Sequence, residues 1–117
     1  MNMQNHINYV EFAAADLAQT ERFFNHAFAW QFEHYGPDYI AFSNAGLEGG
    51  FYRSDLAAST ANGSVLVVLY SSELELIKEK VLQAGGVISK EIFSFPGGRR
   101  FHFIEPSGNE LAIWSDS

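Results

Sequence analysis

His102 and Glu110 stand on either side of a tight turn in the stretch FIEPSGNELAIW, residues 103–114, and could act as a general base and its orienter. Arg99 and Arg100 lie just upstream. They suit a clamp on an anionic ligand, a counterweight to the acidic surface or a bridge to Glu105. Strand side chains alternate between two faces, which sorts the remaining candidates. Ile7, Tyr9 and Glu11 share one face, as do Val65, Val67 and Leu69. Arg100, His102 and Ile104 form a third set and Glu110, Ala112 and Trp114 a fourth, with Gly50 and Tyr52 joining them. If these sets line one pocket, it is apolar and aromatic, with Glu11, Arg100, His102 and Glu110 as polar anchors. His6, His26 and His34 read as surface or edge residues.

These side chains need elements to hold them. Ile7–Ala13 alternates loosely and reads as a strand. Asp16 follows as a helix N-cap, with Gln19 at the capping-box position. Leu17, Thr20, Phe24 and Phe28 then lay an apolar stripe along a helix over 17–29. Short strands are predicted near 30–35, 39–43 and 47–53, punctuated by Gly36-Pro37-Asp38 and Asn44-Ala45-Gly46. A small, polar stretch, 54–63, reads as a linker. A second cycle begins with the strand SVLVVLY, residues 64–70. Ser72 and Glu75 form a capping box for a helix that Gly85-Gly86 stops. Strands are predicted near 87–95, 99–105 and 109–115. The order is strand, helix, three strands, twice over, and such repetition constrains the architecture more than any single residue. In each half the helix covers one sheet face and leaves the other in need of cover: the matching half, a second subunit or a ligand.

Composition narrows the function. Fourteen acids against seven bases give a net charge of −7, which argues against binding a nucleic-acid backbone. With no cysteine there is no disulfide framework, thiol nucleophile or thiolate metal site, which suits a cytoplasmic location. MNMQNHINYV lacks the basic and apolar regions of a signal peptide, and no apolar run is long enough to suggest a membrane span. Eleven Phe, five Tyr and two Trp supply a core and leave aromatic surface for a pocket or an interface.

Three stretches carry a family resemblance. INYVEFAAADLAQTERFFNHAFAWQFEH resembles the opening strand and capped helix of the vicinal oxygen chelate superfamily. This is the glyoxalase, bleomycin-resistance and dioxygenase family, which includes fosfomycin-resistance enzymes. SSELELIKEKVLQAGG is similar to its second helix, and GGRRFHFIEPSGNELAIW to its closing hairpin, with Glu105 for the usual Asp. The resemblance implies an α+β fold. Two tandem βαβββ modules, about 5–53 and 64–117, would form a curved, trough-like sheet with helices outside, in one domain over residues 1–117. It also implies a homodimer.

Metal-dependent members of that family place one ligand on each of four strands, usually His or Glu. Matched by position, those places fall on Tyr9, Gly50 (with Gly49 as the register alternative), Val65 and Ala112. Valine, alanine and glycine side chains cannot ligate, and a lone phenol is a poor ligand for a divalent ion. The expectation is therefore a protein with no cofactor that binds a small apolar or aromatic compound in the trough between modules. Its candidate contacts are Tyr9, Glu11, Tyr52, Val65, Val67, Arg100, His102, Glu110 and Trp114. The alternative is an enzyme of the same family, a lyase, isomerase or dioxygenase-like protein. It would use Glu11, His102 or Glu110 for proton transfer, or a relocated metal site drawn from His6, Glu11, Glu48, His102 and Glu110. A third reading is a structural or regulatory dimer whose aromatic side chains close the trough.

Overall fold

Asp16 starts the first helix as its sequence context predicts: its carboxylate accepts from the backbone N–H of Gln19 and from the Gln19 side chain. The computed structural model describes residues 2–117. The first module runs β1 (Tyr9–Ala14), α1 (Leu17–Phe28), β2 (Gln31–His34), β3 (Tyr39–Ser43) and β4 (Glu48–Arg53). A connection containing a short 3-10 turn, Thr60–Asn62, leads to the second. That module runs β5 (Val67–Tyr70), α2 (Leu74–Gln83), β6 (Val87–Phe95), β7 (Gly98–Ile104) and β8 (Glu110–Ser115). Each module folds into a four-stranded mixed sheet, in the orders β1-β4-β3-β2 and β5-β8-β7-β6. The first and last strands of each module pair in parallel, and the other neighbours are antiparallel.

The helix-bearing faces of the two sheets share one core. Phe12, Ile40, Phe42 and Phe51 come from the first sheet, and Phe101, Phe103, Leu111 and Ile113 from the second. Phe23 and Phe24 of α1 and Leu74 and Val81 of α2 lie among them. Phe23 packs on Phe103 across the modules with ring centroids 5.7 Å apart. Trp30 is stacked between Phe24 and Phe42 at 4.5 and 4.6 Å. Each buried aromatic removes a large apolar area from water, so this aromatic seam is the main force joining the modules.

A buried polar knot adds to it. The Glu105 carboxylate, at the start of the β7–β8 turn, accepts from Thr20 Oγ1 of α1 and from Asn109 Nδ2, both at 2.7 Å. Asn109 Nδ2 also donates to the carbonyl of Ala13 at the end of β1, and its Oδ1 accepts from the N–H of Ala58 in the connection.

Two local expectations fail. No capping box forms at Ser72 and Glu75: α2 starts one residue later, behind Glu73, which makes no side-chain cap bond. Ser71 Oγ accepts from the Glu73 N–H instead, and Glu75 pairs with Arg99. The predicted strand 64–70 begins only at Val67, and its faces are reversed, as described next.

Candidate functional site

With the helix faces committed to the core, the opposite face of each sheet is the outer one. Cross-strand pairing shows which side chains share it. In the first sheet Glu11, Gly50 and Ala41 are paired neighbours, as are Tyr39 and Tyr52. Tyr9, Glu11 and Tyr52 are therefore on the outer face as expected, all exposed. In the second sheet Ala112 of β8 pairs with Val68 on one side and His102 on the other, and Trp114 pairs with Tyr70 and Arg100 in the same way. The outer set is thus Val68, Tyr70, Ala112, Trp114, Arg100, His102 and Glu110.

This corrects the place of two candidates. Val65 lies ahead of β5, 84% exposed, and Val67 turns inward to pack against the core. A one-residue change of register exchanges the two faces of a strand. A run of nothing but apolar residues gives alternation no phase to detect. The two outer faces also do not meet within one chain: both sheets give their helix faces to the same core, so their outer faces are turned away from it. A trough between modules is not closed by a single copy.

On the first sheet the outer face carries a phenol relay. Tyr39 donates to Glu11 Oε2 at 2.9 Å and its oxygen lies 2.6 Å from Tyr9 Oη, which leaves Tyr9 as the donor of that bond. Burial first, then the bonds to Tyr9 and Glu11, push Tyr39 far above the usual tyrosine range. It stays a neutral donor at any physiological pH. The Tyr39 hydroxyl also occupies the space above Gly50: a Cβ added there would sit 2.1 Å from it. Tyr39 was missed as a candidate, because its approach to Gly50 depends on strand pairing that local patterning does not reveal.

The metal positions fare accordingly. Tyr9 is engaged with Tyr39, Gly50 has no room for a donor side chain, Val68 stands where β5 faces outward, and Ala112 presents a buried methyl group. Among the described residues no three His, Asp or Glu side chains gather in a way that could hold an ion. The side chains present do not fit a divalent metal centre.

On the second sheet the outer face carries a row of aromatic and charged groups. Tyr70 meets Trp114 edge-on at 5.2 Å, and Trp114 lies 6.3 Å from Phe95. The Arg100 guanidinium sits 5.9 Å from the Phe95 ring and 5.5 Å from that of Phe93, within cation–π range. Phe93 in turn lies 6.0 Å from His102. Arg99, next to Arg100, points to the helix side and binds Glu75, so neither a two-arginine clamp nor a bridge to Glu105 forms. His34 pairs with Glu21 and His6 bonds the Gln4 carbonyl.

The row ends in a hydrogen-bonded chain. His102, 3% exposed, bonds Glu110 Oε2 through Nδ1 at 2.8 Å. Glu110 Oε1 accepts from the Thr60 N–H and hydroxyl at 2.9 and 3.0 Å. Burial pushes the Glu110 carboxyl up, but the bonds from His102 and Thr60 outweigh it and hold the group below its ordinary value. A carboxyl lowered on folding contributes stability that is complete above its unfolded pKa and is lost as pH falls through the folded value. Glu110→Gln is therefore expected to lower stability by about 1–2 kcal/mol at neutral pH. It should also make the urea midpoint less sensitive to acid below about 4.5. Parallel acid limbs for variant and parent would contradict this.

A separate apolar cleft of about 710 Å³ opens between β1 and β5, the edge strands of the two sheets. Val10, Phe12, Trp30, Leu69 and Ile77 form its walls, and His26 and Lys80 are also part of its lining.

Paired βαβββ modules of this topology, each with one helix-covered and one open sheet face, define a class of small α+β proteins. Residues 6–113 match the sequence profile of that class, and the chain belongs to the Glyoxalase/Bleomycin resistance protein/Dioxygenase superfamily. Comparison with curated proteins finds no match. Solved structures show the same fold at low identity. The fosfomycin resistance protein FosX from Listeria monocytogenes is 17% identical with a TM-score of 0.79, over 98% of this chain and 96% of that one. A glyoxalase-related enzyme from Fulvimarina pelagi is 16% identical with a TM-score of 0.78, over 95% and 88%. Lactoylglutathione lyase from Agrobacterium tumefaciens is 17% identical with a TM-score of 0.71, over 97% and 96%. Among the described residues no helix is long and apolar enough to cross a membrane.

Proposed function

We propose that this protein binds a small apolar or aromatic compound on its outer sheet faces without a metal or other cofactor, in the manner of a bleomycin-resistance-like member of the superfamily. The observation that carries this reading is the aromatic row Tyr70, Trp114, Phe95 and Phe93, beside Val68, Ala112 and Gly50, none of which offers a donor side chain. Flat apolar side chains with a few polar groups at one end suit a ligand held by stacking and a small number of hydrogen bonds.

The working unit is a cytoplasmic homodimer. β1 and β5 are sheet edges, and Tyr9, Leu47, Val68 and Tyr70 on or beside them are 40–53% exposed, an apolar margin for a second copy to cover. A second copy along these edges would also supply the missing wall of the trough. Sedimentation equilibrium tests this part, and a monomer at micromolar concentration would refute it.

The ligand itself is tested by thermal shift against a panel of aromatic compounds, with and without a chelator. Stabilisation that survives the chelator is expected. Stabilisation that appears only with added divalent ion would overturn metal independence. The His102–Glu110 pair supports a second reading, an enzyme of the superfamily that uses these residues for proton transfer. Turnover abolished in Glu110→Gln would favour it.

A further inference from the structure

Among the described residues the only buried side-chain polar atoms without a partner are Arg100 Nε and His102 Nε2. They belong to side chains two residues apart on the outer face of β7, roughly 6–7 Å along the strand. An unsatisfied buried donor or acceptor costs stability, so two together point to a missing third group. The chemistry of the pair defines that group. Arg100 Nε–H is a donor. His102 donates through Nδ1 to the Glu110 carboxylate, which leaves a lone pair on Nε2. One oxygen bearing a hydrogen satisfies both, accepting from arginine and donating to histidine.

The charge agrees. Among the described residues neither Arg100 nor Lys90 has a carboxylate within ion-pair distance. Both instead lie over the Phe93 ring at 5.5 Å. Two unpaired cations around one ring are a concentrated positive spot on a chain of net charge −7. Phe95 and Trp114 continue the flat apolar surface away from it.

We propose that the outer face of the second sheet takes planar aromatic ligands bearing one acidic oxygen, a phenol or carboxylic acid, with that oxygen seated between Arg100 and His102. This rests on the small-molecule reading above and names its ligand class. When a phenol binds, its O–H bond breaks and an N–H bond forms at His102 Nε2; a carboxylic acid arrives already ionised, and the proton on Nε2 is taken up from water. The imidazolium remains against the Glu110 carboxylate, and the oxyanion faces Arg100 and Lys90. Phe93 lies beside both side chains, its ring 5.5 Å from the Arg100 guanidinium and 6.0 Å from the His102 ring. It is carried on the part of β6 where pairing with β7 shifts register, so its ring is the group that moves to admit the ligand.

The test titrates the full chain into 4-nitrophenol, 4-nitrobenzoate and the neutral ether 4-nitroanisole, buffered below the phenol's own pKa. Phenolate absorbance is expected to rise with added protein. Arg100→Gln and His102→Gln should each weaken the phenol and the acid by about tenfold or more while leaving the ether unchanged. Phe93→Ala should speed association, and an unchanged rate would remove Phe93 from the account. Equal binding of ether and phenol, with no absorbance rise, would overturn the proposal and leave the small-molecule reading standing. If none of the three binds, both fall. If Arg100→Gln weakens self-association and not ligand binding, the guanidinium belongs to a subunit contact and the proposal is wrong.

Discussion

Glu105→Ala is expected to lower the unfolding free energy by about 3–5 kcal/mol, a large part of what a domain of this size has to lose. The carboxylate is 2% exposed and accepts four hydrogen bonds. The donors are Thr20 Oγ1, the N–H of Ser107, and the N–H and Nδ2 of Asn109. Truncation leaves these four donors without their charged acceptor, so each bears part of its desolvation cost. The loss also spreads. Thr20 belongs to α1, and Asn109 holds the Ala13 carbonyl of β1 and the Ala58 N–H of the connection, so the knot ties both modules and the segment between them. Glu105→Gln keeps the volume but turns one acceptor into a donor facing donors, and an intermediate loss is expected. Urea unfolding measures both. A Glu105→Ala variant within about 1 kcal/mol of the parent would show that the aromatic seam alone joins the modules.

The sequence made the modules legible because its strong signals are local. Asp16 with Gln19, the Leu17–Thr20–Phe24–Phe28 stripe and the glycine-bearing turns act within a few residues, and the elements fall close to where they point. The phase of β5 was not legible, because VLVVL offers no polar residue to mark a face. The Ser72–Glu75 pair looked like a cap by spacing, but Glu75 has a stronger partner in Arg99, a contact across the fold that no local rule contains. The candidate site divides the same way. His102 with Glu110 was readable, since side chains two residues either side of a strand pairing are neighbours once the hairpin is recognised. Tyr39 over Gly50, Thr60 on Glu110 and Phe93 beside Arg100 and His102 depend on pairing, on the path of a connection and on an irregular strand.

The two adjacent glycines of β4 are expected to respond differently to alanine, although both are buried. Gly49 faces the core. A Cβ there would lie 2.1 Å from the Val10 carbonyl oxygen and 2.4 Å from the Phe42 ring, so backbone and a packed aromatic would both have to move. Gly49→Ala should cost about 2–4 kcal/mol, and truncating Phe42 should not rescue it, because the carbonyl of the paired strand remains. Gly50 faces outward, and the nearest obstacles to its Cβ are the Tyr39 hydroxyl and ring, with the Ile40 carbonyl at 2.8 Å behind them. Gly50→Ala should cost less, about 1–3 kcal/mol, and should break the relay from Tyr9 through Tyr39 to Glu11. In a Tyr39→Ala background the same substitution should cost at least about 1 kcal/mol less, the coupling expected when two side chains compete for one space. Unfolding curves for the parent, the two single variants and the double variant at each position decide the matter. If Gly50→Ala costs the same with and without Tyr39, the phenol is not what closes that position. The cost would then come from the Ile40 carbonyl, and the steric case against a donor side chain at Gly50 would rest on the backbone and not on Tyr39.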